Sequence, residues 1–272
     1  MKKIALLAAL FVLLTLLAAC SGEESSADSK SIKLGGTAGP YSDMLNEAFK
    51  PALEEKGYKV EIVEFSDYIQ PNNALDNGDL DANLFQHSVY LENFSKENGM
   101  DLTGLITVPT APMGIYSNVF GSLEDIKDGA TIAIPNDPVN AARTFLVLQD
   151  NGLITLDPAA EELTVSEKDI QTNTKNLVFQ PIEAGGLPRA VESSDLSAVP
   201  GNFALAADMD LLDALVLEDM PDRYRNLVAV KTENKDTELA KDLVEIVESS
   251  EFEALIDSDF KGFGKPEWMA TR

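Results

Sequence analysis

Two short stretches carry side chains able to grip a small molecule. The first, Glu64 to Tyr90, reads EFSDYIQPNNALDNGDLDANLFQHSVY and crowds Tyr68, Phe85, His87 and Tyr90 close to a turn. Aromatic surfaces of this kind dock aliphatic or thioether groups, because a polarisable sulfur gains attraction beside a ring beyond its apolar burial. The second stretch, Ile134 to Arg143, reads IPNDPVNAAR. Asn140 and Arg143 stand three apart, so on a helix they share a face, where a guanidinium fork and an amide would hold a carboxylate bidentately. Arg143 is also the first arginine of the chain. Blander readings compete: packing for Phe85, a satisfied polar residue near a helix start for His87, and a solvated surface charge for Arg143.

Other chemistries lack their parts. With 1 cysteine and 1 histidine the chain has no internal disulfide, thiolate cluster or multi-histidine metal site. The G-x-S-x-G elbow is absent and His87 is the sole candidate base, so nucleophilic catalysis has no support. Asp79, Asp81 and Asn83 have the spacing that opens a calcium loop, but Leu84 and Tyr90 stand where that loop needs Gly and Glu. Gly35, Gly36 and Gly39 lack the phosphate-loop ending and read as a backbone-approach loop lining a ligand cleft. No catalytic residue, metal or cofactor is expected. Lys and Arg number 21 against 46 Asp and Glu, a net charge of −25 that repels phosphate backbones and argues against nucleic acid as a partner.

The elements that must position the two stretches follow from periodicity. Tyr41, Met44, Leu45, Ala48, Phe49, Ala52 and Leu53 have helical spacing, with a bend expected at Pro51. Strands are expected at Lys59–Phe65, Leu80–Phe85 and Leu102–Val108, with a helix over Val89–Lys96 capped by Gly99. Beyond Pro109 and Pro112 the rhythm restarts with a strand at Thr131–Ile134. A helix with Asp137 as N-cap and Pro138 in its first turn follows. Further strands are expected at Leu177–Ile182, Leu196–Val199 and Leu227–Val230, and helices at Leu187–Val191, Asn202–Ala207 and from Leu239 to Val247. At 272 residues and 44% hydrophobic, two domains are expected. The βαβ rhythm predicts an α/β fold of mainly parallel sheets sandwiched by helices, in two lobes with a cleft between them.

The N-terminus has the parts of an export signal. Lys2 and Lys3 precede an apolar run, Ile4 to Ala19, shorter than the ~20 residues a bilayer-spanning helix needs. Residues 1–19 are therefore expected to be a signal peptide. Residues 20–31, which end in SGEESSADSKS, should form a flexible tether. Leu-Ala-Ala-Cys resembles the bacterial lipobox, which implies lipid attachment at Cys20 and cleavage just before it.

EFSDYIQPNNAL, GDLDANLFQH and IPNDPVNAAR, with GLPRAV at Gly186–Val191 and PGNFAL at Pro200–Leu205, resemble the substrate-binding lipoproteins of methionine ABC importers, the NlpA/MetQ family. The resemblance runs from Ile32 to Trp268. It implies a two-lobed periplasmic-binding-protein fold (type II-like), with lobe 1 formed by 32–110 plus 226–272 and lobe 2 by 111–225. It implies Tyr68, Phe85, His87 and Tyr90 around the ligand side chain, Asn140 and Arg143 on its carboxylate, Asn202 on its backbone end, and Tyr116 at the hinge or cleft. Tyr41 and Phe203 depart from the family's usual histidine and tyrosine. The implied partners are methionine, an ABC permease with its ATPase, and the membrane, reached through a lipid anchor (palmitate among its chains) on the extracytoplasmic face; the protein is expected to be monomeric. Alternatives are a binder of a methionine-containing dipeptide or another small amino acid, a surface adhesin with a vestigial cleft, and a secreted hydrolase of small amides. The fold is expected to survive loss of Arg143.

Overall fold

The computed structural model describes residues 30–271. The expected signal peptide, Cys20 and all but the end of the tether lie outside them. No described helix is long and apolar enough to cross a membrane.

The first sheet opens with β1 (Lys30–Thr37), followed by α1 (Pro40–Met44), a π turn (Leu45–Phe49) and α2 (Lys50–Glu55). Where one helix bent at Pro51 was expected, the break falls one turn earlier. The widened turn sits just ahead of the residue that has no N–H to donate. Then come β2 (Tyr58–Phe65), α3 (Gln70–Asn77), β3 (Ala82–His87), α4 (Ser88–Asn98) and β4 (Leu102–Thr107). Gly99 ends α4 at φ +67°, a left-handed conformation that suits glycine.

Residues 108–113 cross to the second half: β5 (Gly114–Tyr116), β6 (Thr131–Pro135), α5 (Pro138–Asp150), β7 (Ile154–Leu156) and β8 (Ile170–Asn173). β9 (Val178–Ile182), α6 (Leu187–Ala190), β10 (Leu196–Val199), α7 (Gly201–Ala206) and β11 (Val216–Leu217) complete it. Residues 218–225 return the chain to β12 (Asn226–Lys231), and α8 (Glu238–Glu248), α9 (Ser250–Asp259) and α10 (Glu267–Ala270) follow.

Strand order is β2-β1-β3-β12-β4 in one sheet and β11-β5-β10-β6-β9 in the other, with β7-β8 as a separate ribbon. β1 runs parallel to β3, but β12 returns antiparallel between β3 and β4, pairing Val228 with Leu84 on one side and Leu227 with Thr107 on the other. In the second sheet β10, β6 and β9 are parallel, while β5 and β11 are antiparallel additions. Both sheets are thus mixed, where mainly parallel sheets were expected. A strand entering directly from a crossover, without a helix to turn the chain round, is not bound to the parallel βαβ sense.

Each sheet has its own core. Leu34, Met44, Leu53, Leu84, Val230 and Leu243 belong to the first; Ile115, Ile132, Phe145, Leu148, Leu196 and Ala198 belong to the second. A smaller cluster joins Phe85 and Tyr90 of the first half to Val139 of the second. All six residues of β3 are buried, as a central strand covered on both faces requires. Its polar members must find partners inside. Asn72 Nδ2 donates to Gln86 Oε1 at 2.7 Å, Gln86 Nε2 donates to Asn72 Oδ1 at 2.6 Å, and Asn83 Nδ2 donates to Asn72 Oδ1 at 3.0 Å. The asparagine-rich stretch around the calcium-like spacing is thus tied into a closed amide cluster that pins α3 to β3.

Candidate ligand-binding site

A cleft lies between the halves, with about 340 Å³ of empty space in it when the open mouth is included. From the first half it is lined by Tyr41, Tyr68, Phe85, Gln86, His87 and Tyr90. The second half contributes Asn140, Arg143, Gly201 and Asn202, the first crossover brings Thr110 and Ala111, and the start of β12 brings Asn226.

The aromatic wall is a set of edge and tilted contacts. Tyr68 stands 5.9 Å from Phe85 and 5.9 Å from Tyr90, ring centre to ring centre, and Phe85 meets Tyr90 edge-on at 6.1 Å. Phe85 is buried and packs as a core residue would, yet it also faces the cavity; the two readings of it were not exclusive. The Tyr90 hydroxyl donates to the Tyr68 backbone carbonyl at 3.0 Å, which fixes the Tyr90 ring.

His87 is the N-cap of α4: its Nδ1 accepts from Tyr90 N at 3.2 Å. An accepting Nδ1 places the ring proton on Nε2, which donates to Asn140 Oδ1 at 3.3 Å, across the cleft. Burial, with the Arg143 charge adding to it, lowers the imidazole to about 3, while the Asn140 bond works the other way. The ring is neutral at physiological pH.

Asp137 caps α5 as its spacing predicts, accepting from Asn140 N at 2.8 Å, and it also takes the Asn140 side-chain amide. That amide is therefore oriented with its oxygen toward His87 and Arg143. Burial raises the Asp137 carboxyl, and the Asn140 donors hold it back.

Arg143 is buried, not a solvated charge. Its Nε donates to Glu218 Oε1 at 2.7 Å and its Nη2 to Glu218 Oε2 at 2.5 Å, so the side-on edge of the guanidinium is bound to a carboxylate of the protein itself. Nη1 lies 3.5 Å from Asn140 Oδ1 on the cavity side, and the Tyr224 ring centre is 5.1 Å from the guanidinium carbon. Burial opposes the charge, but attraction and hydrogen bonding from Glu218 outweigh it and the Arg143 pKa is raised.

Asn202, in α7, accepts from the Tyr68 hydroxyl at 2.7 Å and donates to Thr37 Oγ1 at 3.4 Å, both in the first half. Tyr116 is not brought to the cavity. Its buried ring crowds Gly114, where an added Cβ would lie 2.6 Å from it, at the end of the first crossover. Burial, with Asp210 and Asp213 nearby, raises its hydroxyl to about 12. The glycine loop does not line the cavity either. Gly39, at φ +85°, instead abuts α7 of the other half, where a Cβ would come within 2.9 Å of Ala206 Cβ. Of the two unusual residues, Tyr41 is buried and lines the cavity alongside Thr110 and Ala111. Phe203 sits one layer back, its ring 5.0 Å from Tyr68.

Three residues of the site carry no local pattern in the sequence: Glu218, Tyr224 and Asn226. Tyr224 meets His87 edge-on at 5.1 Å. Asn226 Nδ2 donates to the Phe85 carbonyl at 2.8 Å and its backbone N to Thr110 Oγ1 at 2.8 Å. They lie in the polar run LEDMPDRYRN, where nothing sets them apart from their neighbours.

Two mixed α/β lobes, joined by two crossovers around a polar-and-aromatic cavity, have the architecture of the periplasmic-binding-protein fold. The chain belongs to the NlpA lipoprotein family, whose profile matches residues 32–268. It is 36% identical over 255 residues to the D-methionine-binding lipoprotein MetQ of Salmonella typhi, covering 93% of each chain. It is 36% identical over 269 residues to the methionine-binding lipoprotein MetQ of Bacillus subtilis, covering 96% of this chain and 97% of that one. A solved structure of a nutrient-binding protein from Burkholderia cenocepacia bound to methionine is 40% identical, with a TM-score of 0.81 over 85% of this chain and 97% of that one.

Proposed function

We propose that this protein is the substrate-binding lipoprotein of an ABC importer, capturing methionine by closure of its lobes and delivering it to a membrane permease driven by an ATPase. The observation that carries this reading is the division of labour across the cavity: rings on one lobe, an amide and a guanidinium on the other. A zwitterionic amino acid with a flexible apolar side chain satisfies both walls only when they meet, so binding energy favours the closed state. The lobes are taken as 32–110 plus 226–272 and 111–225. In this reading the aromatic wall receives the thioether, Arg143 receives the carboxylate with Asn140 Oδ1 steering its Nη1, and Asn202 receives the backbone end. No catalytic step is assigned.

Lipid on Cys20 anchors the chain, as a monomer, to the extracytoplasmic face of the membrane. The test is thermal melting and calorimetry with L-methionine, D-methionine, leucine and glycyl-methionine. Methionine at ~100 times its Kd should stabilise the protein by about 2.7 kcal/mol. Equal affinity for leucine would refute the aromatic wall as a sulfur-selective surface.

A further inference from the structure

We propose that Glu218 is a positioning residue for carboxylate recognition, holding Arg143 so that one edge of the guanidinium faces the ligand. The proposal rests on the reading of Arg143 as the carboxylate partner. A guanidinium has two edges able to grip a carboxylate in a fork: side-on through Nε and Nη2, and end-on through Nη1 and Nη2. Glu218 takes the side-on edge with two bonds. The end-on edge is left for the cavity, with Nη1 beside Asn140 Oδ1.

Glu218 is itself fastened. Its Oε2 also accepts from Met113 N at 3.1 Å, and its backbone N donates to the Met113 carbonyl at 2.9 Å. Both crossovers therefore meet at this carboxylate, and its side chain is 4% exposed. The Tyr224 ring lies across the guanidinium at 5.1 Å and further limits its motion. A long side chain otherwise free to rotate is thus ordered before ligand arrives, so the ordering is not charged against binding. Glu218 also halves the choice of approach: a carboxylate entering from the cavity finds only the end-on edge.

Positioning and mere neutralisation of charge predict opposite results. The experiment is calorimetry of the full-length mature protein and its Glu218→Gln variant with two probes, L-methionine and L-methioninamide, the second lacking the anion. The parent should prefer methionine strongly. In Glu218→Gln that preference should fall by about tenfold or more, the size seen when a buried charged partner is truncated, with methioninamide changed by much less. If Glu218→Gln does not fold, Glu218→Asp keeps the charge but shortens the reach, and its preference should also fall. A preference retained in whichever variant folds, or tighter methionine binding in Glu218→Gln, overturns the positioning role. A parent that binds both probes equally instead overturns the carboxylate reading of Arg143, and the role of Glu218 with it.

Discussion

The Tyr68 hydroxyl donates to Asn202 Oδ1 at 2.7 Å, linking residues 134 positions apart across the cleft. Tyr68 follows the edge strand β2 of one lobe, and Asn202 sits in the first turn of α7 in the other. With the His87–Asn140 bond it forms a pair of polar latches on either side of the aromatic wall. Tyr68→Phe keeps the ring and removes one latch. Methionine binding should weaken by about 1–2 kcal/mol, roughly 5–30-fold, while the melting temperature without ligand changes little. Unchanged affinity by calorimetry would show that the latch is not used in the bound state.

The Arg143–Glu218 pair alters the expectation for Arg143→Ala. That substitution leaves the Glu218 carboxylate buried without its fork, so stability should fall by roughly 3–5 kcal/mol, in addition to the loss of binding. Removing both charges, in Arg143→Met with Glu218→Gln, should recover most of the stability and none of the methionine affinity. Denaturant melts of the two singles and the double give the coupling directly. Additive losses would contradict a buried pair.

His87 gives a pH signature. Its folded value of about 3 is below the ordinary 6.5, so between these limits the unfolded chain binds more protons and stability rises with pH. The contribution is complete above pH 6.5 and is lost as pH falls toward 3, a change on the order of a few kcal/mol. Protonation would also cancel the Nδ1 lone pair that caps α4. Asp137, raised by burial, has the opposite slope at the acid end. His87→Asn removes the titration and keeps an acceptor suited to an N-cap. The gap between parent and variant melting temperatures should shift in the variant's favour from pH 7 to pH 4. A constant gap would refute the neutral imidazole.

Gly201 opens α7 against the first crossover. A Cβ there would lie 2.4 Å from the Pro112 carbonyl oxygen and 2.6 Å from Ala111 Cβ, and backbone cannot yield as a side-chain end does. Gly201→Ala should lower stability by about 1–3 kcal/mol and weaken methionine binding through displacement of Asn202. Gly129→Ala, strained by its φ of +77° but facing open space, should lower stability without touching affinity.

How far the site was legible depended on sequence distance. The Asp137–Pro138 helix start, the Gly99 cap and the shared face of Asn140 and Arg143 are local, set within a turn or two, and the structure has all three. The asparagine-rich turn was legible only as a failed calcium loop, since its partner Gln86 is reached through the fold. Glu218 was not legible at all: its pairing spans 75 positions and nothing in LEDMPD marks it among so many acids. The same distance hid the direction of β12, because periodicity tells which residues are buried and not which way a returning strand runs.

The place of β12 has a consequence for how the chain is made. This strand, Asn226–Lys231, lies in the middle of the first sheet, between β3 and β4, though both of those are complete by residue 107. Until the last fifth of the sequence emerges, β3 and β4 each hold an open hydrogen-bonding edge with nothing between them. The first lobe therefore cannot close during synthesis, and the second, whose strands are contiguous from 114 to 217, can form ahead of it. Premature termination anywhere before Asn226 leaves a polypeptide with two unpaired strand edges exposed, fit for chaperones and proteases but not for transport.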